Sequence, residues 1–179
     1  MNSILVNKRI LVTGATGLIG SHLVERLLEM GAEVIALGRN EKKLKHVFSK
    51  AFNNENISLM TANISERMPE KLGRVDYIFH AASPISGDEI KSRPVDVISA
   101  NLNGTLNCLD FLKKQKETSE VNGRLIVFSS ATVYTNFGNK DIRFDENRTE
   151  SAENINSCTA PYSEAKRMAE VTALAYQKQ

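Results

Sequence analysis

The sequence carries little surplus charge: its formal net charge is +2 over 179 residues. That is too small to argue for a nucleic-acid partner or an anionic membrane surface. It contains no long apolar run, so no transmembrane helix is expected. Met1-Asn2-Ser3 leads directly into the first predicted strand, so no signal peptide is expected either. Cysteine is scarce. Cys108 and Cys158 are the two present and show no metal-ligand spacing, so no metal site is expected. Cys108 falls on an apolar-periodic helix and reads as a small core residue. Without a secretion signal, the glycosylation patterns at Asn103-Gly104-Thr105 and Asn147-Arg148-Thr149 read as chance. The basic runs Lys42-Lys43-Lys45 and Lys113-Lys114-Lys116 read as solvated helix faces. Together these absences point to a cytoplasmic, reduced protein. What is present is globular: 41% apolar and 25% charged residues, enough for one domain over 1–179 with a sizeable core.

The stretch around which the rest is organised is Val12-Thr13-Gly14-Ala15-Thr16-Gly17-Leu18-Ile19-Gly20. It follows the apolar run Ile10-Leu11-Val12 and opens a helical pattern from Leu18 to Met30. A strand that feeds a glycine turn into a helix N-terminus aims free N–H groups and a positive dipole end at one spot, which suits a pyrophosphate. The spacing is G-x-x-G-x-x-G rather than the commoner G-x-G-x-x-G.

Strand and helix patterns then alternate. The first helix is expected to turn Leu18, Ile19, Leu23, Leu27 and Leu28 inward, with Gly31 as a C-terminal cap able to take positive φ. Val34-Ile35-Ala36-Leu37 reads as a strand buried on both faces. Asn40 is placed to cap a helix from Glu41 to about Phe52, with Leu44, Val47, Phe48 and Phe52 inward. Ile57–Thr61 is the third strand, Ser65 to Lys71 is weakly helical, and Val75 to Ala82 is the fourth strand and its exit. Pro94 starts a long helix to about Lys116, with Val97, Ile98, Leu102, Leu106, Leu109 and Leu112 inward. Arg124 to Ser129 is the fifth strand and 136–160 a polar loop. A last helix from Pro161 is expected to turn Met168, Val171, Leu174 and Ala175 inward. This alternation predicts an α/β fold of three layers, a Rossmann-like doubly wound parallel sheet. Gly14–Gly20, Gly38-Arg39, Asn63, Ala81-Ala82-Ser83 and Ser129-Ser130 all fall at strand ends, where one ligand would touch them together.

A second constellation is Tyr162-Ser163-Glu164-Ala165-Lys166. Residues four apart on a helix share a face. Free tyrosine titrates near pH 10, so acid–base work near neutrality needs a shift of roughly 2–3 units, which a neighbouring ammonium favours. The pair would then exchange a proton with a substrate hydroxyl. Tyr-x-x-x-Lys also arises by chance. Its weight here comes from its place after the fifth strand, with Ser130 at that strand's end as a partner donor.

Five motifs stand in order: Thr13–Gly20, His80-Ala81-Ala82, Asn101-Leu102-Asn103-Gly104-Thr105, Phe128-Ser129-Ser130-Ala131-Thr132-Val133-Tyr134 and Pro161–Lys166. With these the chain resembles the extended short-chain dehydrogenase/reductases, the nucleotide-sugar epimerase/dehydratase group, over essentially all of its length. The resemblance implies a Ser/Thr-Tyr-Lys catalytic set that carries over to Ser130, Tyr162 and Lys166. Tyrosine would be the acid/base. Lysine would bind the nicotinamide ribose and lower the tyrosine's pKa, and serine would hydrogen-bond the reacting oxygen. It implies an NAD(P) site formed by Gly14, Thr16, Gly17, Leu18, Ile19, Gly20, Arg39, Asn63, Ile64, Ala81, Ala82, Ser83, Asn101 and Ser129, with Tyr162 and Lys166. His80 belongs to the strand-end motif and is not expected to do chemistry. A nucleotide-sugar substrate and a homodimer, through the helix containing Asn101–Leu112 and the one beginning at Tyr162, are also implied.

Departures from the family pattern narrow these expectations. Dehydratases of the family carry Thr-Asp-Glu where this chain has Ser130-Ala131-Thr132, and the related decarboxylases carry glutamate at the position of Thr132. Neither Ala131 nor Thr132 has a carboxylate, so dehydration is disfavoured; the motif looks like those of 4-epimerases, such as UDP-galactose 4-epimerase, or of ketoreductases. At the end of the second strand Gly38 stands where an acid would favour NAD, and Arg39 follows. A guanidinium can pair a 2′-phosphate, so NADP is slightly favoured over NAD. The alternative is that Arg39 merely stacks on adenine or points to solvent. Asn63-Ile64 stands where the family has an adenine-contacting aspartate. The family continues beyond this helix into a smaller substrate domain, so the chain is expected to be part of a longer enzyme and inactive alone. The competing expectation is a non-catalytic NAD(P)-binding module.

Overall fold

A computed structural model of the chain describes residues 4–51, 53–84, 86–119, 121–134 and 154–179. Its centre is a parallel sheet of five strands: β1 (Arg9–Thr13), β2 (Glu33–Gly38), β3 (Ile57–Thr61), β4 (Tyr77–His80) and β5 (Arg124–Val127), in the spatial order β3-β2-β1-β4-β5. The register pairs Leu11 with Ile35 on one side and with Ile78 on the other. β1 and β2 lie inside the sheet and are covered on both faces, which is why they read as unbroken apolar runs. Ile10, Val12, Val34 and Ala36 join one core with Val24, Leu27, Leu44 and Phe48 from the helices α1 (Leu18–Glu29) and α2 (Glu41–Val47) and the residue after α2. The alternate residues Leu11, Ile35, Leu37 and Ile78 join the other core with Cys108 and Leu112 from a helix on the opposite face. Cys108 is therefore the buried core residue expected.

The local signals read from the sequence act as anticipated. Gly31 takes φ +81° after α1. The Asn40 side chain accepts from the Lys43 N–H, and Leu44 and Phe48 are buried. The helix is shorter than expected, ending at Val47 before a 3₁₀ turn at Ser49–Ala51. Phe52 lies outside the described residues, as does most of the predicted polar loop. Of the weak helix at Ser65–Lys71, only a 3₁₀ turn at Glu70–Leu72 forms.

The long helix expected from Pro94 is broken. A short α3 (Gly87–Ser92), capped by the Ser86 side chain, precedes it. Pro94 opens α4 (Pro94–Ile98), then comes a π-helical turn (Ser99–Asn103), then α5 (Gly104–Ser119). The extra residue of a π turn shifts the face that follows it. Val97, Leu109 and Leu112 are buried as expected, whereas Ile98 is exposed and Leu102 and Leu106 are only half-buried. Asn101, Thr105 and Cys108 take up buried positions instead.

Two expected helix faces are corrected. Leu18 and Ile19 are 76% and 56% exposed, and α1 buries Gly20, Val24 and Leu27. The first turn of α1 follows directly on the glycine turn at the end of β1, and its side chains stay outside the core. On α6 (Ala160–Lys178), Met168, Val171, Leu174 and Ala175 are all exposed. The buried face is Ala160, Ser163, Ala165, Lys166 and Ala169. The alanines and the serine let α6 lie close against α4, the π turn and α5. Overpacking a filled interface costs about 1–3 kcal/mol. Ala169→Leu is therefore expected to lower the urea midpoint by a corresponding amount; an unchanged midpoint would place the packed face of α6 elsewhere.

Candidate active site

The carboxyl ends of the strands form one edge of the molecule, and the reversal of strand order between β1 and β4 opens a crevice there. Gly14 leaves β1 with φ +66°, and a Cβ on it would stand 2.7 Å from the Ala81 carbonyl oxygen and the Ala82 backbone. Only glycine fits. A Cβ on Gly20 would run into the Gly14 carbonyl oxygen, so the helix also requires glycine to sit down on the turn. Gly17 is the N-cap of α1 and no side chain caps that end, while the first turn holds no acid. The leading N–H groups of α1 are thus left to an external acceptor, with the positive dipole end behind them.

A cavity of about 570 Å³ runs across this edge. Nine of the residues expected at a cofactor line it: Gly14, Thr16, Gly17, Arg39, Asn63, Ile64, Ala81, Ala82 and Ser83. Its length from the β2 and β3 ends to the β4 end suits an extended ligand. Asn63 accepts from the Ser65 N–H through Oδ1 and donates to Glu66 through Nδ2. Its amide oxygen keeps one lone pair for a ligand donor. Leu18, Ile19, Gly20, Asn101, Ser129, Ser130, Tyr162 and Lys166 lie outside the lining. The cavity also takes in Lys43, Glu89, Arg93, Asp96, Ser99 and Ala100, which sequence reasoning missed. Lys43 had looked like part of a solvated basic run. The others come from α3, α4 and the π turn, elements the pattern did not resolve.

His80 ties these parts together. At 4% exposure it is nearly buried, with Nδ1 2.8 Å from Thr13 Oγ1 and Nε2 3.2 Å from the Ala100 carbonyl. A carbonyl only accepts, so Nε2 carries the proton and Nδ1 accepts from the Thr13 hydroxyl. Thr13 Oγ1 in turn accepts from the Ala82 N–H. One directed chain therefore joins the end of β1, the exit of β4 and the π turn. Gly104 leaves the room this needs, since a Cβ there would stand 2.7 Å from the imidazole. Asn101, 2% exposed, holds the same turn by donating from Nδ2 to the Val97 carbonyl. Burial, with a smaller contribution from the charge of Lys166, pushes the His80 pKa down to about 4.

The Tyr-Lys pair is carried in by α6. Lys166 Nζ donates to the Phe128 carbonyl at 2.6 Å, where β5 gives way to Ser129 and Ser130. The same ammonium lies 5.8 Å from the centre of the Tyr162 ring. Burial pushes the Lys166 pKa down to about 8. Ser130 leads into a 3₁₀ turn (Ala131–Tyr134) that packs on α6, with Arg167 donating to the Val133 carbonyl. Tyr162 and Lys166 thus meet on α6 beside the exit of β5, outside the lining of the cavity.

A parallel sheet in this strand order, with a glycine turn at the exit of β1 and a crevice beside it, defines a Rossmann-like fold. More narrowly, the chain belongs to the NAD dependent epimerase/dehydratase family, whose model matches residues 10–179. It is 37% identical to UDP-glucuronic acid decarboxylase 4 of Arabidopsis thaliana over 70% of this chain and 26% of that protein. It is 32% identical to UDP-glucuronic acid decarboxylase 1 of Xenopus tropicalis over 96% of this chain and 38% of that protein. A solved UDP-galactose 4-epimerase superposes with a TM-score of 0.71 at 25% identity, over 95% of this chain and 52% of that one. The chain thus spans less than half the length of these curated relatives.

His80 makes the fold sensitive to acid. Its pKa falls from the ordinary 6.5 of the unfolded chain to about 4. Between those values the unfolded chain binds the extra proton, so stability is full above pH 6.5 and is lost as pH falls toward 4. The shift corresponds to about 3 kcal/mol. Urea midpoints taken from pH 7 to 4 are expected to fall more steeply for the wild type than for His80→Asn, whose amide does not titrate. Equal slopes would remove His80 as the cause.

Proposed function

We propose that the protein is an NAD(P)-dependent oxidoreductase or epimerase that acts on a nucleotide sugar by hydride transfer at a ring hydroxyl or ketone. The observation that carries this reading is the anchoring of Lys166 at the exit of β5, on the helix face that also bears Tyr162. A pure binding module needs the glycine turn but no buried lysine beside a tyrosine. A bound nicotinamide would accept a hydride from the carbinol carbon of the sugar and could return it to the resulting ketone. Tyr162 moves the proton of the sugar hydroxyl, Lys166 holds the phenol and ribose in place with its positive charge, and Ser130 donates to the reacting oxygen. The curated relatives and the solved neighbour named above carry UDP-linked sugars in their names. A UDP-sugar is accordingly the proposed substrate class. Ala131 and Thr132 offer no carboxylate for removing water, which favours epimerisation or reduction as the net outcome. A cytoplasmic location and a homodimer through α5 and α6 belong to the same reading; the exposed Met168, Val171 and Leu174 on α6 support the dimer. In full-length protein, Tyr162→Phe is expected to lower turnover of a UDP-sugar by about 10²–10⁴ while cofactor affinity stays unchanged. Retained turnover would sink the mechanism.

NADP is favoured over NAD on the chemistry at the end of β2. Gly38 offers no carboxylate to the ribose, and a Cβ there would meet the Leu44 side chain at 3.3 Å. Arg39 and Lys43 both line the cavity beside it, so a 2′-phosphate would meet two cations. Titration of the chain with each cofactor is expected to give tighter binding of NADP(H). Arg39→Ala should weaken NADP(H) about ten-fold, the loss of one charge-assisted hydrogen bond, and leave NAD(H) unchanged. Equal affinities for the two cofactors would reverse the assignment.

A further inference from the structure

Thr132 stands where carboxylates serve other members of the family, yet the structure gives it a different task. Its backbone N–H donates to Ser130 Oγ at 3.2 Å, and its own hydroxyl donates to the same oxygen at 3.0 Å. The angles at the two oxygens suit donation from Thr132 to Ser130. The Val133 N–H closes the turn onto the Ser130 carbonyl at 3.2 Å, so the Ser130 backbone is held as well. A serine hydroxyl has two lone pairs and one proton. With both donors of Thr132 directed at one side of its oxygen, the proton of Ser130 is turned to the other side, away from Thr132.

We propose that Thr132 is a positioning residue that fixes Ser130 as an outward hydrogen-bond donor to the reacting oxygen of the substrate. The inference rests on the role of Ser130 in the function proposed above. A free serine hydroxyl rotates among its staggered positions and spends part of its time accepting, whereas a donor that stabilises a developing alkoxide works best when already aimed. The two bonds from Thr132 also draw electron density from the Ser130 oxygen, which strengthens its outward donation. Thr132 is exposed and Ser130 half-buried, so the pair presents its free proton from the rim of the site rather than from the core. Valine at 132 keeps the backbone N–H and the branched shape but removes one of the two bonds. Serine restores it.

The test uses full-length protein with UDP-galactose and UDP-glucuronic acid as probes. Thr132→Val is expected to lower kcat about ten-fold, the usual scale for one hydrogen bond, with cofactor Kd and sugar KM unchanged. Thr132→Ser should return to within about two-fold of the wild type. In a Ser130→Ala background, Thr132→Val should have no further effect, because its action passes through Ser130. Wild-type kcat in Thr132→Val, or an equal loss with and without Ser130, would overturn the proposal. Neutron diffraction from deuterated wild-type chain checks the same point without turnover. The Ser130 deuteron is expected to point away from Thr132; a deuteron on the line to Thr132 Oγ1 overturns the proposal. Absence of turnover in the wild type, with the deuteron outward, would instead overturn only the functional reading.

Discussion

Between the end of β1 and the exit of β4 there is no room for a side chain. A Cβ on Gly14 would stand 2.7 Å from backbone atoms of Ala81 and Ala82, and the φ of +66° there disfavours any other residue. This close approach draws the glycine turn against the neighbouring strand and keeps the helix dipole of α1 aimed along the sheet's carboxyl edge. Immediately behind it, the chain of hydrogen bonds from Ala82 through Thr13 and His80 to Ala100 holds the same two strand ends to the π turn. The geometry of the glycine turn and the placement of Asn101 therefore depend on one buried polar network. Buried polar groups are costly unless fully satisfied, and here both ring nitrogens have partners.

The second organising element is α6. Its inner face is built from alanine and serine with one lysine, so the helix approaches α4, the π turn and α5 closely and delivers an ammonium to the end of β5. A larger inner face would hold Lys166 farther from the Phe128 carbonyl. The cost is a partly desolvated charge, visible in the lowering of the Lys166 pKa to about 8. The same charge helps keep His80 neutral. Packing and site electrostatics are thus coupled: the residues that seat the helix also set the protonation of the groups around it.

Much of the scaffold is legible from local chemistry. The strand–turn–helix of Ile10 to Met30, the positive φ at Gly31, the Asn40 cap and Pro94 at a first helical turn each follow from a residue whose conformational preference is strong. The glycines of the turn are legible for the same reason, and nine expected contacts do line one cavity. Periodicity fails where the apolar signal is not what decides burial. Met168, Val171 and Leu174 make a helical stripe but face outward, because the interface they were expected to fill is occupied by shorter side chains. Leu18 and Ile19 fail likewise, since the first turn of α1 is exposed and the helix meets the core only from Gly20 onward. Lys43 and Arg93 carry no pattern that separates them from surface cations. Their place in the cavity comes from how α2 and α4 sit on the sheet.

By itself, the sequence determined the alternation of strands and helices, the glycine turn and the order of its motifs, because these rest on backbone preferences and short-range spacing. Tertiary structure decided which face of each helix is buried, which nitrogen of His80 carries its proton, and which oxygen receives the Thr132 hydroxyl. Those outcomes depend on groups far apart in the chain or on the angle at a single atom. His80 meets Thr13 across 67 residues and Lys166 meets Phe128 across 38. No residue type and no spacing specifies such a meeting. The sheet order specifies it, by bringing the ends of β1, β4 and β5 side by side.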